Sequence, residues 1–377
     1  MAKNLLLALA STALFLGALE GASRWLRPVS LPYPVVIREA GQWRERYEPD
    51  PLLFWKLRPH LVEDGRPFTN SLGLRGPEVP DKAADEFRIL SLGESSTFGW
   101  EVAYGETYSA VLESRLRTVG ARRVRVVNAG VPSYTSFQGY HYLRVRGVEL
   151  EPDAVLLYFG ANDFTPLTFR ATRSAPWAED RGMTDRELFA KRKRPLVRLG
   201  SRLLEHSNFY RLIALREPTG TARPDVSRTR SRVPTADRLE ILADFRSLCE
   251  ERGIRLVVVI PWYREFRMHA GLLRDFSRET GVPLVDLPAA LDGLPGPRER
   301  WFLDDFHPNA EGHRMIAQAI EEALRALWQE PPAPAGQART WIFISRGPRR
   351  GAPRPGRPRT AGPPSAARRP APGAWPR

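Results

Sequence analysis

Five short runs of apolar, mostly β-branched residues recur through the middle of the chain, at positions 87–92, 124–128, 154–159, 254–260 and 282–287. Runs that are continuous rather than alternating suit strands buried on both faces. Between and after them, the stretches 107–119, 236–252, 267–280 and 310–328 carry apolar residues three and four positions apart, the spacing of helices with one buried face. Strand and helix therefore alternate, which predicts a three-layer α/β/α domain around a mostly parallel five-stranded sheet. Right-handed crossovers would bring the carboxyl ends of those strands to one rim, where such sheets place their chemistry.

One interval breaks the alternation. Residues 165–235 separate the third and fourth runs, far more chain than an ordinary connection needs. They read as an insertion near the site, with an amphipathic helix over 195–204 serving as a substrate-facing lid or as plain packing.

The two ends differ from the middle. Residues 5–19 carry no charge and follow Lys3; continuing past Glu20 to Leu26 gives the length of about 20 residues that a membrane span requires. No clear Ala-x-Ala processing site follows. Residues 1–27 are thus expected to be an uncleaved anchor in the cytoplasmic membrane, with the following domain outside the cytoplasm. The alternatives are a removed leader on a secreted protein and a buried helix of a soluble one. Arg24 and Arg27 oppose Lys3 in the positive-inside count. Residues 28–86, rich in Pro and charge, read as a linker and small appendage before a domain at 87–328.

The net charge of +14 suggests nucleic acid at first sight. Residues 331–377 contain ten Arg and no Lys, Asp or Glu, which leaves +4 for the rest and argues against a nucleic-acid partner. The same stretch holds twelve of the 35 Pro, so 329–377 is expected to be a disordered tail. It is either an arm for anionic polymers or lipid head groups, or a dispensable extension. Cys249 is the only cysteine; an intrachain disulfide and a cysteine-rich metal site are excluded, and a buried, inert thiol is expected.

Chemistry collects at four places. Ser95 lies in Gly93-Glu-Ser-Ser-Thr97 after the first run, Gly130 ends the second, Gly160-Ala-Asn-Asp163 follows the third, and Asp304-Asp-Phe-His307 precedes the last helix. A serine hydroxyl needs a base for its proton and donors for the oxyanion it creates. His307 is the natural base, and Asp304, three residues earlier, is spaced to hold its other ring nitrogen. The backbone N–H groups of Ser95 and Gly130 and the side-chain amide of Asn162 are the oxyanion donors, with Asp163 holding the Asn162 loop. Ser96 is the other possible nucleophile. Asp304, Asp305 and His307 could also cap a helix or form a weak metal site, but no further His or Cys pattern supports a metal. A Gly-x-Ser-x-Gly elbow is absent because Thr97 stands in place of the second glycine.

Taken together, these residues resemble the SGNH, or GDSL-type, serine hydrolase family, in its bacterial membrane-anchored form, over residues 87–328. In that family Gly-Asp-Ser carries the nucleophile, a lone Gly and Gly-x-Asn-Asp line the oxyanion hole, and Asp-x-x-His completes the triad. The resemblance implies a flavodoxin-like fold, a triad of Ser95, Asp304 and His307, an oxyanion hole of Ser95, Gly130 and Asn162, and no metal or organic cofactor. Glu94 departs from the usual Asp. The segment Asn70-Ser-Leu-Gly-Leu-Arg75 also looks like the lead-in of such relatives. The implied activity is hydrolysis of acyl esters, such as acetyl esters, of a carbohydrate or lipid through an acyl-serine intermediate. Two alternatives stay open: a cell-surface polysaccharide O-acyltransferase using the same triad, and a catalytically silent binding module.

Overall fold

The computed structural model of the chain describes residues 2–28, 46–50, 52–63, 65–165, 183–193, 203, 206–214, 230–265 and 270–329. The tail from residue 330 onward, much of the insertion and most of the helix expected over 195–204 lie outside the described residues. After the N-terminal helix α1 (Ala2–Leu26), two small hairpins pair β1 (Tyr47–Asp50) with β2 (Phe54–Leu57) and β3 (Val62–Glu63) with β4 (Arg66–Pro67). The main sheet comprises β5 (Glu86–Gly93), β6 (Thr118–Val119), β7 (Arg122–Gly130), β8 (Ala154–Tyr158), β9 (Arg255–Ile260) and β10 (Leu284–Asp286), in the spatial order β10-β9-β8-β5-β7-β6.

All five predicted runs are strands of this sheet and pair in parallel. The sixth strand, β6, adds an antiparallel edge of two residues beside β7; it is too short to show a period in the sequence. Counting only the parallel strands in chain order, the spatial order is 2-1-3-4-5, the flavodoxin-like arrangement. The chain places β7 on one side of β5 and β8 on the other, so a crevice opens between the carboxyl ends of β5 and β8. Such a switch point is where open α/β sheets bind their ligands.

Alternate residues of each strand face opposite layers, because successive side chains of a strand point to opposite faces. Phe87 and Ile89 of β5 join Val257, Val259, Leu112, Ile316, Ile320 and Leu324 in one cluster. Leu90 and Leu92 join Val258, Ile260, Phe137, Phe245 and Phe276 in the other. The first layer is built by helices Tyr108–Leu116 and Ala310–Gln329, the second by Ser136–Tyr142, Thr235–Glu251 and Ala270–Thr280. Four of them begin within a few residues of a predicted start, while Ser136–Tyr142 has no counterpart among the stretches read from the sequence. Cys249 is a buried free thiol within the second cluster, and burial pushes its pKa up to about 12.

The segment before β5 does more than connect. Leu53, Trp55, Leu57 and Leu74 are buried in the second cluster. Backbone carbonyls of Leu53 and Trp55 accept hydrogen bonds from Gln138 Nε2 (2.7 Å) and Tyr134 Oη (2.6 Å). In the lead-in segment, Asn70 Oδ1 accepts the N–H groups of Leu72 and Leu74, both at 3.0 Å. That turn delivers Arg75, which bridges to Asn128 of β7, donates to the Val102 carbonyl (2.6 Å) and lies over the Phe98 ring (4.5 Å). Arg75 therefore buttresses the turn that carries Ser95.

Candidate active site

The three strands that meet at the switch point end in register: Gly93 of β5 lies beside Gly130 of β7 and Tyr158 of β8. Directly after Gly93 the chain turns from strand to a short helix, Ser95–Phe98. A Cβ at Gly93 would overlap the Thr97 side chain, and one at Gly130 would overlap the backbone of Thr97 and Phe98. Both glycines are thus required by the packing of the turn that carries Ser95. As the first residue of its helix, Ser95 presents a backbone N–H with no intrahelical acceptor.

Ser95, His307 and Asp304 come together from opposite ends of the domain. Ser95 Oγ lies 2.8 Å from His307 Nε2, and His307 Nδ1 lies 2.7 Å from Asp304 Oδ2. Asp304 Oδ1 also accepts the N–H groups of Phe306 and His307, both at 2.8 Å. One carboxylate therefore both shapes the loop and orients its imidazole. Partial burial pulls against it, but the hydrogen bonds from the His307 ring and from the Phe306 and His307 backbone hold Asp304 well below the usual carboxylate range.

The histidine loop is fixed from several sides. Leu303 N–H donates to the His307 carbonyl (2.8 Å), Arg264 N–H to the Asp305 carbonyl (2.9 Å), and the Arg264 and Asp305 side chains form an ion pair. Ser96 is buried and its Oγ donates to the Phe306 carbonyl (3.1 Å). The alternative nucleophile is thus a tie to this loop, while its neighbour Ser95 reaches the imidazole. Trp100 stacks on the His307 ring, with centroids 5.5 Å apart and planes at 24°.

Asn162 sits in the short turn Ala161–Phe164 after β8. Its side-chain Nδ2 donates to the Tyr134 carbonyl (3.2 Å), and its backbone N–H donates to Glu94 Oε2 (3.3 Å). Asp163 holds the loop as expected of it. Its Oδ1 accepts the Ser136 N–H (2.8 Å), its Oδ2 pairs with buried Arg238 (3.1 Å), and its carbonyl accepts the Val233 N–H (2.9 Å). Gly130 is placed at the site, but its N–H donates to Asn128 Oδ1 (3.0 Å), whose amide in turn donates to the Thr97 carbonyl (2.7 Å). The Gly130 donor can reach an oxyanion only by releasing Asn128.

Glu94, the residue that departs from the family motif, is almost fully buried. Tyr263 Oη donates to its Oε1 and accepts the Ala161 N–H (2.9 Å). Glu94 and Tyr263 together therefore hold two consecutive backbone amides of the Asn162 loop. Burial lifts the Glu94 carboxyl to about 7, against the hydrogen bonds from Tyr263 and Asn162. Tyr263, Trp100 and Asn128 carry no motif in the sequence. Tyr263 had one weak signal, its place three residues beyond β9 on the rim that holds the site.

The two histidines buried among the described residues take packing roles. His313 Nδ1 accepts the Tyr108 N–H (3.1 Å), and burial lowers its pKa to about 3. His141 packs among Phe137, Tyr140 and Phe189, and burial lowers it to about 4. Among the described residues, no group of three or more His, Cys, Asp or Glu side chains is placed to hold a metal ion.

Known proteins match this arrangement at the level of family. No curated protein sequence matches the chain. Among solved structures, the lipase/acylhydrolase from Enterococcus faecalis shares 16% identity, covering 66% of this chain and all of that one at a TM-score of 0.39. The psychrotrophic esterase EstA from Pseudoalteromonas sp. shares 14%, covering 64% of this chain and 99% of that one at 0.40. A two-domain esterase active on acetylated mannans shares 17% at 0.41, and the match spans 67% of this chain but about half, 53%, of that protein. The sequence model of the GDSL-like lipase/acylhydrolase family matches residues 91–315, from within β5 to the last helix. With the nucleophile turn, the histidine loop and the strand order all inside that span, the chain belongs to the GDSL-like lipase/acylhydrolase family of ester-bond hydrolases.

Proposed function

We propose that the chain hydrolyses acyl esters, such as acetyl esters, of a carbohydrate or lipid, with Ser95 as nucleophile, His307 as general base and acid, and Asp304 orienting the imidazole. The observation that carries this reading is the continuous relay from Ser95 Oγ through His307 to Asp304, at 2.8 and 2.7 Å. Ser95 Oγ attacks the ester carbonyl carbon as its proton passes to His307 Nε2. The imidazolium then gives that proton to the departing alcohol oxygen, leaving an acyl-Ser95 ester. Water repeats the sequence: its proton goes to His307, its oxygen to the acyl carbon, and the carboxylic acid leaves as Ser95 regains its proton.

The developing oxyanion is received by the Ser95 N–H and by the Asn162 side-chain amide, whose second N–H remains beside the bond to Tyr134. Gly130 contributes its N–H when Asn128 lets go. A fluorophosphonate probe should label the wild-type protein and spare Ser95→Ala. Equal labelling of both would remove Ser95 from this role.

One helix segment, Lys3–Leu26, is long and apolar enough to cross a membrane, and its Leu5, Leu6, Leu9, Leu14 and Phe15 side chains are exposed. It acts in this reading as a single anchor with the hydrolase domain outside the cytoplasm. Fractionation checks this: the protein should pellet with membranes and resist carbonate extraction, whereas release into the soluble fraction would contradict it.

A further inference from the structure

The N-terminal apolar helix is joined to the insertion by reciprocal polar contacts at its carboxyl end. The Glu20 carboxylate accepts Ser207 Oγ (2.8 Å) and the backbone N–H groups of Asn208 (2.7 Å) and Phe209 (3.0 Å), with Arg24 Nε beside it at 2.6 Å. In return, Asn208 Nδ2 donates to Ser23 Oγ (3.2 Å) and to the Arg27 carbonyl (3.1 Å), and Arg24 Nη2 donates to the His206 carbonyl (2.8 Å). Asn208 opens the short helix Asn208–Ala214. Its first N–H groups have no acceptors within their own helix. Glu20 accepts those of Asn208 and Phe209, and Asn208 ties back to the end of the N-terminal helix at Ser23 and Arg27.

This explains an acid at the end of a long uncharged run. A carboxylate left bare beside hydrocarbon is costly, whereas one with several donors is not. Asn208 and Ser23 are buried at the joint, while most of the N-terminal helix exposes its apolar side chains. A leader destined for removal has no use for contacts that the remaining domain would lose. Leu203 and Ile213 stand exposed in the segment beside the joint, as suits a stretch resting on the surface of a bilayer. About 20 helical residues span the hydrocarbon core, so a helix entering near Lys3 brings Glu20 and Arg24 to the far interface.

We propose that Glu20–Arg27 and 206–209 form a permanent joint, which keeps the N-terminal helix in the mature enzyme and holds residues 206–214 of the insertion, with Leu203 beside them, against the lipid surface. The proposal rests on reading that helix as a membrane anchor, and its test uses no activity. In full-length protein from the membrane fraction, carrying a protease site placed within residues 29–45, the exposed neighbours Arg24 and His206 are replaced as the pair Arg24→Cys and His206→Cys, bridged with a short bismaleimide, and the chain is then cut. Cys249 is buried and does not compete. The anchor fragment should stay attached to the body on a denaturing gel, and it should separate in the control pair Leu9→Cys and His206→Cys. Separation of the fragment in both pairs to the same extent would overturn the joint.

The unmodified chain supplies a second measurement. The protein in the membrane fraction should still contain residues 3–26, and an amino terminus beyond Leu26 would overturn retention. A bridged, intact protein found in the soluble fraction would sink the anchor and the lipid contact while leaving the joint in place, so the two failures are distinguishable.

Discussion

The loop around Asp304 and the pocket around Glu94 each bring one carboxylate to the same site, and they treat it in opposite ways. Asp304 is half exposed, with 51% of its side chain accessible, and it accepts three hydrogen bonds from two consecutive residues of its own loop. Donors outweigh desolvation there, and the group stays ionised in acid. Glu94 is 2% exposed and shares its oxygens between a phenol and one amide, so desolvation wins and its pKa rises to about 7. In the proposed reaction the first carboxylate faces the positive charge that appears on His307. The second is built to hold backbone still.

The difference can be broken or sharpened by substitution. Removing the groups proposed to exchange the proton comes first: Ser95→Ala or His307→Ala should lower kcat for a p-nitrophenyl ester by on the order of 10⁵-fold. Next, Asp304→Asn should cost roughly 10³- to 10⁴-fold in kcat with the fold retained, because the imidazole loses the partner that fixes its tautomer. An effect below tenfold would mean that the two carboxylates are not distinct in role. Tyr263→Phe and Glu94→Gln should each cost less, roughly 10²-fold, since they shift the Asn162 loop rather than remove a reacting group. Their loss should fall on kcat more than KM, and Glu94→Asp should recover part of it.

A further effect is on stability against pH. A buried acid whose folded pKa is raised holds its proton longer in the folded state, so stability falls as pH rises from its ordinary value of 4.5 to about 7 and stays lower above that. The change for Glu94 is on the order of 3 kcal/mol at most. Asp304 runs the other way: its contribution is present above the ordinary carboxylate value and is lost as pH falls. Melting temperatures from pH 4 to 8 should therefore decline more steeply with pH in the wild type than in Glu94→Gln. Parallel curves would show that Glu94 is not the titrating group.

Much of this was legible before any coordinates. The β-branched runs announced the parallel strands because a strand buried on both faces has no polar side to interrupt it. The four blocks pointed to the candidate site because the rim of such a sheet is fixed by chain direction alone, and Asp304 and His307 are neighbours on one loop, where spacing suffices. The insertion was legible only as an excess of length, and β6 not at all.

What the sequence determined by itself, then, was local or periodic: the five parallel strands and most of the helices, the apolar run at the amino terminus, the candidacy of Ser95, Asn162, Asp304 and His307, and the basic character of the tail. Tertiary structure alone decided which of Ser95 and Ser96 reaches the imidazole, that Gly130 donates to Asn128, and that Glu94 is sealed beneath Tyr263. It also decided that Glu20 finds its partners at 207–209. These pairings join residues far apart along the chain, 169 positions for Glu94 and Tyr263 and 188 for Glu20 and Asn208. Contacts of that kind leave no period and no spacing to read, since burial and hydrogen-bond partners exist only once the layers have closed.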